Sequence, residues 1–216
     1  MSDSGYAVER HTDFYFIYFR SPMRRYSSAP FNGGTGTSKG YLNWHVDIDY
    51  DGDPALDVPI FLAKNGIDSK TVTVTLTACL LEDFILVEDH VNEYYVTVCM
   101  TAGAGNALSI GSAGRDGHGT VNIGVFTDYP AGAPAAINLV QTVVEAKAQA
   151  FNDMGIRDRD TGKLSPGTST DTVSVFVDSR HTDEPYGGRL TEIGKKISTI
   201  VYENMEMAIK KCREAL

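Results

Sequence analysis

The stretch TVNIGVFT at residues 120–127 alternates apolar residues with other residues, which is typical of a β-strand. Val121, Ile123 and Val125 fall on one face of this strand, and Asn122 and Gly124 fall on the other. The same period recurs before and after this stretch. It predicts further strands at residues 15–19, 41–50, 71–77, 84–88, 94–100 and 172–178.

Two segments repeat their apolar residues with the period of an α-helix instead. The first covers residues 134–154 and begins at a proline, which suits the first turn of a helix. The second covers residues 190–215 and carries its charged residues on the side away from the apolar stripe. A shorter helix is predicted at residues 56–64, where an Asn-Gly pair follows.

The order of these elements indicates the fold class. Strands outnumber helices, and the two long helices come late in the chain. This arrangement predicts an α+β or mixed α/β fold, with two long helices packed on a largely antiparallel or mixed sheet. A chain of 216 residues can form one hydrophobic core, and we see no linker within it. We therefore expect a single domain over residues 1–216.

Composition excludes several classes of partner. The net charge of −9 repels phosphate backbones, so we expect no nucleic-acid binding. The N-terminus lacks the residue order of a signal peptide, and no apolar run approaches the roughly 20 residues of a membrane helix. We expect a cytoplasmic protein without a membrane partner; assembly into a homo-oligomer is left open.

The three cysteines support the same compartment. Cys79, Cys99 and Cys212 are far apart, odd in number and form no CxxC pair. We therefore predict reduced thiols, at least two of which pack in the core.

Three loops are unusually rich in small and polar residues. They cover residues 27–36, 101–106 and 165–171, and each borders a predicted strand. Because glycine lets the backbone approach a ligand closely, these loops predict a binding site assembled from strand ends. The alternative is that they are three mobile surface loops.

Common catalytic motifs are missing. The stretch GGTGTSK at residues 33–39 has its lysine after serine and leads into a predicted strand, unlike a phosphate-binding loop. The five histidines form no HxH or HExxH spacing, although His118 could converge with Asp116 or Asp128. GTSKG at residues 36–40 has the GxSxG spacing, but it leads into a predicted strand and not into a helix, so it does not mark a serine nucleophile. We therefore expect no metal and no cofactor.

Polar residues near strand ends remain as candidates. They are Thr101, Asn106, Thr120, Asn122, Thr168, Thr170 and Asp171, with Glu145 and Lys147 on the first long helix. Lys147 falls inside the apolar stripe of that helix, so it must either pair with Asp171 or another loop acid, or extend to the helix edge. Glu145 falls on the polar side, where periodicity predicts exposure to solvent.

Six sequence elements carry a resemblance to a known family. They are SSA at 27–29 with NGG at 32–34 and then Asn43 and Val46, TAGAGNA at 101–107, GTVNI at 119–123, VEAK at 144–147, GTSTD at 167–171, and YGG at 186–188 with Thr191 and Gly194. In this order they resemble the adenosylcobinamide amidohydrolase family over roughly residues 27–216. Val144, where threonine is expected, and Arg189, which interrupts the last element, are small departures.

The resemblance implies a reaction of cobalamin salvage. Such enzymes hydrolyse the amide bond that links aminopropanol to the corrin ring of adenosylcobinamide, and they release adenosylcobyric acid. The corrinoid with its cobalt is then the substrate and not a cofactor. Two alternatives stay open. One is a corrinoid-binding protein without chemistry, and the other is an amide hydrolase of another substrate that uses Thr120 as its nucleophile.

The resemblance also marks candidate site residues. Glu145 or Asp171 would be the general base, with Glu145 slightly favoured, and Lys147 would orient the second carboxylate or stabilise the oxyanion. Thr120 and Asn122 would contact the substrate amide. The expected substrate-binding residues are Ser27, Ser28, Asn32, Gly33, Gly34, Asn43, Thr101, Gly103, Asn106, Thr168 and Thr170.

Overall fold

A computed structural model describes residues 5–82, 84–114, 118–178 and 184–214 of the chain. Eight strands and three helices lie within these residues. In chain order they are β1 (Tyr6–Arg10), β2 (Phe14–Ser27), β3 (Gly34–His45), α1 (Pro54–Lys64), β4 (Val72–Thr77), β5 (Ile85–Val91), β6 (Tyr94–Ala102), β7 (Val121–Thr127), α2 (Ala133–Asp153), β8 (Thr172–Asp178) and α3 (Glu192–Glu214).

All described strands belong to one mixed sheet. Its order is β4-β3-β2-β8-β7-β6-β5, and β1 pairs with β2 outside this path. The pairs β3–β4 and β7–β8 are parallel, whereas the other pairs are antiparallel. The sheet and the two long helices confirm the predicted α+β class. No helix in the described ranges has both the length and the apolar character that crossing a membrane requires.

The long helices cover one face of the sheet. The predicted valine face of β7 lies in a buried cluster with residues of α2 and α3, among them Leu139 and Val201. The apolar stripes predicted for both helices face this cluster, so the helical period located the interface correctly. Helix boundaries agree within two residues, although Ala215, the predicted end of the last helix, lies outside the described residues.

The opposite face of the sheet is buried as well. The sheet curls, so that Tyr41 of β3 and Phe126 of β7 approach each other with ring centroids 5.7 Å apart. Gly124 of β7 lies on this face, where an added Cβ would come within 2.9 Å of the Cys99 sulfur and 3.2 Å of the Tyr41 ring. An aromatic cluster fills the concave side, and its largest fully buried members are Tyr15, Phe16, Tyr41, Phe126 and Phe176.

Three strand predictions need correction. We predicted a strand at residues 15–19, but β2 continues to Ser27, because its second half pairs with β3 and β8. We predicted a strand at residues 41–50, but β3 covers residues 34–45 and the chain leaves the sheet after His45. The glycine-rich residues at its start are held in the sheet by pairing with the second half of β2, which outweighs their low strand propensity. Strand β1 was not predicted.

The prediction of three reduced thiols is wrong in this structure. Cys79 and Cys212 form a disulfide that ties α3 to the loop after β4, and Cys99 alone among the three is free. Burial raises the pKa of the Cys99 thiol to about 12, so it stays protonated and inert. Disulfides are rare in most reducing cytosols, so one argument for a cytoplasmic location no longer holds. The location itself stays a prediction.

We expect reduction of the disulfide to lower the free energy of unfolding by roughly 2–5 kcal/mol, because the bond closes a long loop of the unfolded chain. The two cysteines are 133 positions apart in sequence. Thermal unfolding with and without dithiothreitol measures the effect. A C79S/C212S double variant is the control, since its Tm should not respond to the reductant. Titration of three free thiols in the native protein would contradict the disulfide.

Candidate functional site

A cavity of about 500 Å³ opens where the ends of several strands meet the loops that follow or precede them. Residues from six separate parts of the chain line it. They are Ser28, Pro30, Val46, Asp47, Ile48, Tyr50, Pro54, Leu76, Thr77, Ala78, Asn106, His118, Gly119, Thr120, Thr170, Asp171 and Thr172. This volume is typical of a pocket for a small organic ligand.

The loops before β7 and β8 are joined to each other at this cavity. The Thr120 hydroxyl donates to the Thr170 carbonyl at 3.0 Å, and the Thr170 hydroxyl donates to the Gly119 carbonyl at 3.0 Å. The Asn106 side chain donates to the Ser169 hydroxyl at 3.2 Å. These reciprocal bonds make one polar surface of segments that are distant in sequence. The second and third small-residue loops therefore meet at one cavity, and the binding of a ligand there stays a prediction.

A buried ion pair lies directly behind this surface. Lys147 of α2 pairs with Asp171, and their side chains are only 9% and 13% exposed. Asp171 also accepts hydrogen bonds from the Val121 amide at 3.1 Å, from the Thr168 amide at 3.0 Å and from the Thr168 hydroxyl. Each carboxylate oxygen thus accepts two donors. The ion pair that the helical wheel suggested is confirmed, and Lys147 does not extend to solvent.

Three residues expected to bind substrate lie beneath the cavity. Asn122 is fully buried and donates to the Leu76 carbonyl at 2.7 Å and to Asn43 at 3.1 Å, and its own amide oxygen accepts from Thr172. Asn43 in turn donates to Thr101 at 3.0 Å. The side chains of Asn43, Thr101 and Asn122 therefore bond to the protein, because the curl of the sheet covers the strand face on which we expected substrate.

The first small-residue loop contributes only part of its predicted residues. Ser28 lines the cavity together with Pro30. Asn32 has a φ of 48° and donates to the Ser69 carbonyl at 2.6 Å and the Val72 carbonyl at 2.8 Å, so it holds a turn. Gly33 belongs to the same turn and Gly34 begins β3, and the cavity lining includes neither.

Two further predicted residues also serve the surrounding structure. Ser27 bonds to Ser174 at 2.6 Å between β2 and β8. Gly103 packs against the disulfide, where an added Cβ would come within 3.1 Å of the Cys212 sulfur. The predicted site residues that line the cavity are thus Ser28, Asn106, Thr120, Thr170 and Asp171. Lys147 and Thr168 do not line it, but both bond to Asp171.

Glu145 lies apart from this cavity. Its side chain is 52% exposed and pairs with Arg189 at 2.8 Å, in a separate groove between α2 and α3. Residues two positions apart on a helix point in nearly opposite directions, so Glu145 cannot share the buried side that brings Lys147 to Asp171. The polar side of α2 therefore forms a wall of the other groove.

Several lining residues were missed as site candidates. Asp47 and Tyr50 reach the cavity because the chain turns away from the sheet after β3, and no spacing in the sequence shows this turn. His118 was considered only as a metal ligand. Its possible partner Asp116 and the histidine at 181 lie outside the described residues. Among the residues that are described, no three His, Cys, Asp or Glu side chains are grouped to hold a metal ion.

The buried pair makes a stability prediction. Lys147→Met or Asp171→Asn should lower the free energy of unfolding by about 3–5 kcal/mol, because each change leaves a buried charge without its partner. Urea unfolding measures the loss. Glu145→Gln is the matched control, since its pair with Arg189 is exposed and should contribute less than about 1 kcal/mol. Equal small losses in all three variants would show that the buried pair does not stabilise the fold.

Comparison with known proteins agrees with the sequence elements described above. The family model CbiZ, described as adenosylcobinamide amidohydrolase, matches residues 2–215. A Methanosarcina mazei protein named adenosylcobinamide amidohydrolase is 28% identical over 156 residues, which cover 68% of this chain and 70% of that protein. The uncharacterized protein MJ1613 of Methanocaldococcus jannaschii is 27% identical over 172 residues, covering 69% of this chain and 67% of its own length. The chain therefore belongs to the adenosylcobinamide amidohydrolase family.

Proposed function

We propose that this protein hydrolyses the amide bond between aminopropanol and the corrin ring of adenosylcobinamide. Water adds to the amide carbonyl, the C–N bond breaks, and the products are adenosylcobyric acid and aminopropanol. The observation that carries this proposal is the convergence of the family elements on one cavity. Ser28, Asn106, Thr120 and Asp171 come from four different elements, and all four line it.

The size of the cavity suggests how a corrinoid would bind. A volume of about 500 Å³ suits a side arm of the substrate better than the whole macrocycle with all its substituents. In this arrangement the aminopropanol arm enters the cavity and the corrin ring stays at the mouth. The segment after β3 contributes Val46, Ile48 and Pro54 to the lining, and Ile48 is 45% exposed. These side chains offer apolar contact to the ring.

Asn106 is suited to recognise the scissile amide. Its side-chain oxygen is buried and accepts no hydrogen bond from the described residues. An acceptor in this state costs roughly 1–3 kcal/mol unless a donor reaches it. A substrate amide N–H is such a donor once the Asn106 side chain, which lines the cavity, turns its oxygen away from Gly119. Asn106 would then orient the amide in the cavity and recover that cost on binding.

The Lys147–Asp171 pair would support this surface from behind. Asp171 holds the Thr168 amide and hydroxyl together with the first amide of β7. The Thr170 hydroxyl, two residues after Thr168 in the same loop, bonds to the segment that carries Thr120. We therefore assign the pair a positioning role: it keeps the polar groups at the distance that the substrate requires.

Direct assay tests the reaction. We expect the purified protein to convert adenosylcobinamide to adenosylcobyric acid without added nucleotide or metal, and liquid chromatography with mass spectrometry should detect both products. Release of aminopropanol distinguishes hydrolysis from corrinoid binding alone. A parallel incubation with EDTA tests the expectation that no metal takes part. Absence of cobyric acid under every condition would refute the proposed function.

Two amide variants test which carboxylate matters. Asp171→Asn should reduce turnover by about 10²-fold, since misplacing groups at a site by about 1 Å has an effect of this size. Glu145→Gln makes the same chemical change outside the cavity, and we expect its turnover to stay within about twofold of the native value. Circular dichroism checks that both variants fold. Loss of turnover in Glu145→Gln alone would move the site to the groove between α2 and α3.

A further inference from the structure

Four ionisable side chains line the cavity among the described residues, namely Asp47, Tyr50, His118 and Asp171. Amide hydrolysis needs a group that takes a proton from water and returns one to the leaving amine. Resting on the proposed function, we infer that His118 is this proton-transfer residue, and that Asp171 has no direct part in the proton transfer.

The contacts of Asp171 make it a poor base. Its two oxygens accept four hydrogen bonds in total, one of them from the buried ammonium of Lys147. A proton added to either oxygen would displace one of these donors or weaken the ion pair. The carboxylate is therefore committed to holding the loop before β8, and water in the cavity would find no free lone pair of good geometry on it.

Tyr50 is unsuited for a different reason. Its hydroxyl donates to Asp57 of α1 at 2.7 Å. Burial and this hydrogen bond to a carboxylate raise the pKa of Tyr50 well above its ordinary value. The phenol thus stays protonated at neutral pH, and its proton already points away from any substrate, toward Asp57.

Asp47 and His118 remain, and both side chains are exposed in the open cavity without a hydrogen bond to another described residue. Carboxylic acids as a class hold a proton weakly near neutral pH. An imidazole can both take and return a proton in this range. The chemistry of the two steps therefore favours His118.

The backbone around His118 is held firmly although its side chain is exposed. The next residue, Gly119, packs so closely that an added Cβ would come within 2.7 Å of the Asn106 side-chain oxygen. The carbonyl of Thr120 accepts the Gly103 amide at 2.9 Å. The carbonyl of His118 itself lies against Gly105, which has no side chain to displace it. His118 is thus fixed next to Asn106, which we expect to bind the scissile amide.

The reaction then balances without another reactant. An imidazole nitrogen of His118 removes one proton from water as the water oxygen bonds to the amide carbon. The resulting imidazolium gives this proton to the nitrogen of aminopropanol as the C–N bond breaks. The carboxylic acid of adenosylcobyric acid and the free amine are the products, and His118 returns to its neutral form.

Substitution of His118 tests the inference. We expect His118→Gln to lower kcat by about 10²–10⁴-fold, the effect typical of losing a general acid–base group. The acidic limb of the native pH–rate profile should disappear in this variant. The other ionisable groups that face the cavity or lie behind it remain in place, and we expect that they do not maintain this limb; they are Asp47, Tyr50, Asp171 and Lys147. Added imidazole should restore part of the turnover of His118→Ala, which a merely structural role would not predict. The Kd of each His118 variant for adenosylcobyric acid, measured by equilibrium dialysis, should stay within about threefold of the native value.

Two controls make the outcomes distinct. His90→Gln changes an exposed histidine of β5 outside the cavity and should keep native turnover. Asp47→Asn should keep the acidic limb. If Asp47→Asn removes that limb, or if His118→Gln retains more than half of the native kcat, the assignment of His118 is refuted while the proposed function stands. If the native protein forms no cobyric acid, the proposed function fails first and the role of His118 fails with it.

Discussion

The buried ion pair between Lys147 and Asp171 connects the two parts of the molecule on which the candidate site depends. Lys147 belongs to α2 in the helical layer, whereas Asp171 ends the loop that leads into β8. A buried charge pair is tolerated only when further hydrogen bonds satisfy its remaining groups. Thr168 and Val121 supply these bonds, so the pair also determines where the strands β7 and β8 begin.

The buried pair requires particular small residues in the loop before β8, which explains why this loop is rich in glycine and threonine. Lys147 reaches Asp171 past Gly167, where any Cβ would overlap both charged groups. Thr168 then places its amide and its hydroxyl on the same carboxylate. The GTSTD element at 167–171 is therefore largely an anchor for a buried charge, and only Thr170 and Asp171 of its residues reach the cavity.

Much of this arrangement could be predicted from the sequence. Period-two and helical patterns located seven of the strands and the helices, because successive strand residues alternate between the two faces of the sheet and each helical stripe faces the sheet. The position of Lys147 in an apolar stripe left open a pair with Asp171, a pair with another loop acid or extension to the helix edge, and the structure shows the pair with Asp171. The disulfide could not be predicted, since Cys79 and Cys212 are distant in sequence and carry no motif. The glycine-rich start of β3 could not be predicted either, because it is held in the sheet by pairing with β2 and not by the strand propensity of its own residues.

The curl of the sheet explains why some site predictions do not match the cavity. Thr120 and Asn122 lie two residues apart, on one face of the same chain segment. Thr120 stands at the open end and lines the cavity, but β4 reaches across the sheet and covers Asn122 through the Leu76 carbonyl. A family element that runs from the open cavity into the covered part of the sheet therefore contains residues of two kinds. One kind faces the ligand, and the other fixes the distance between the strands that carry it.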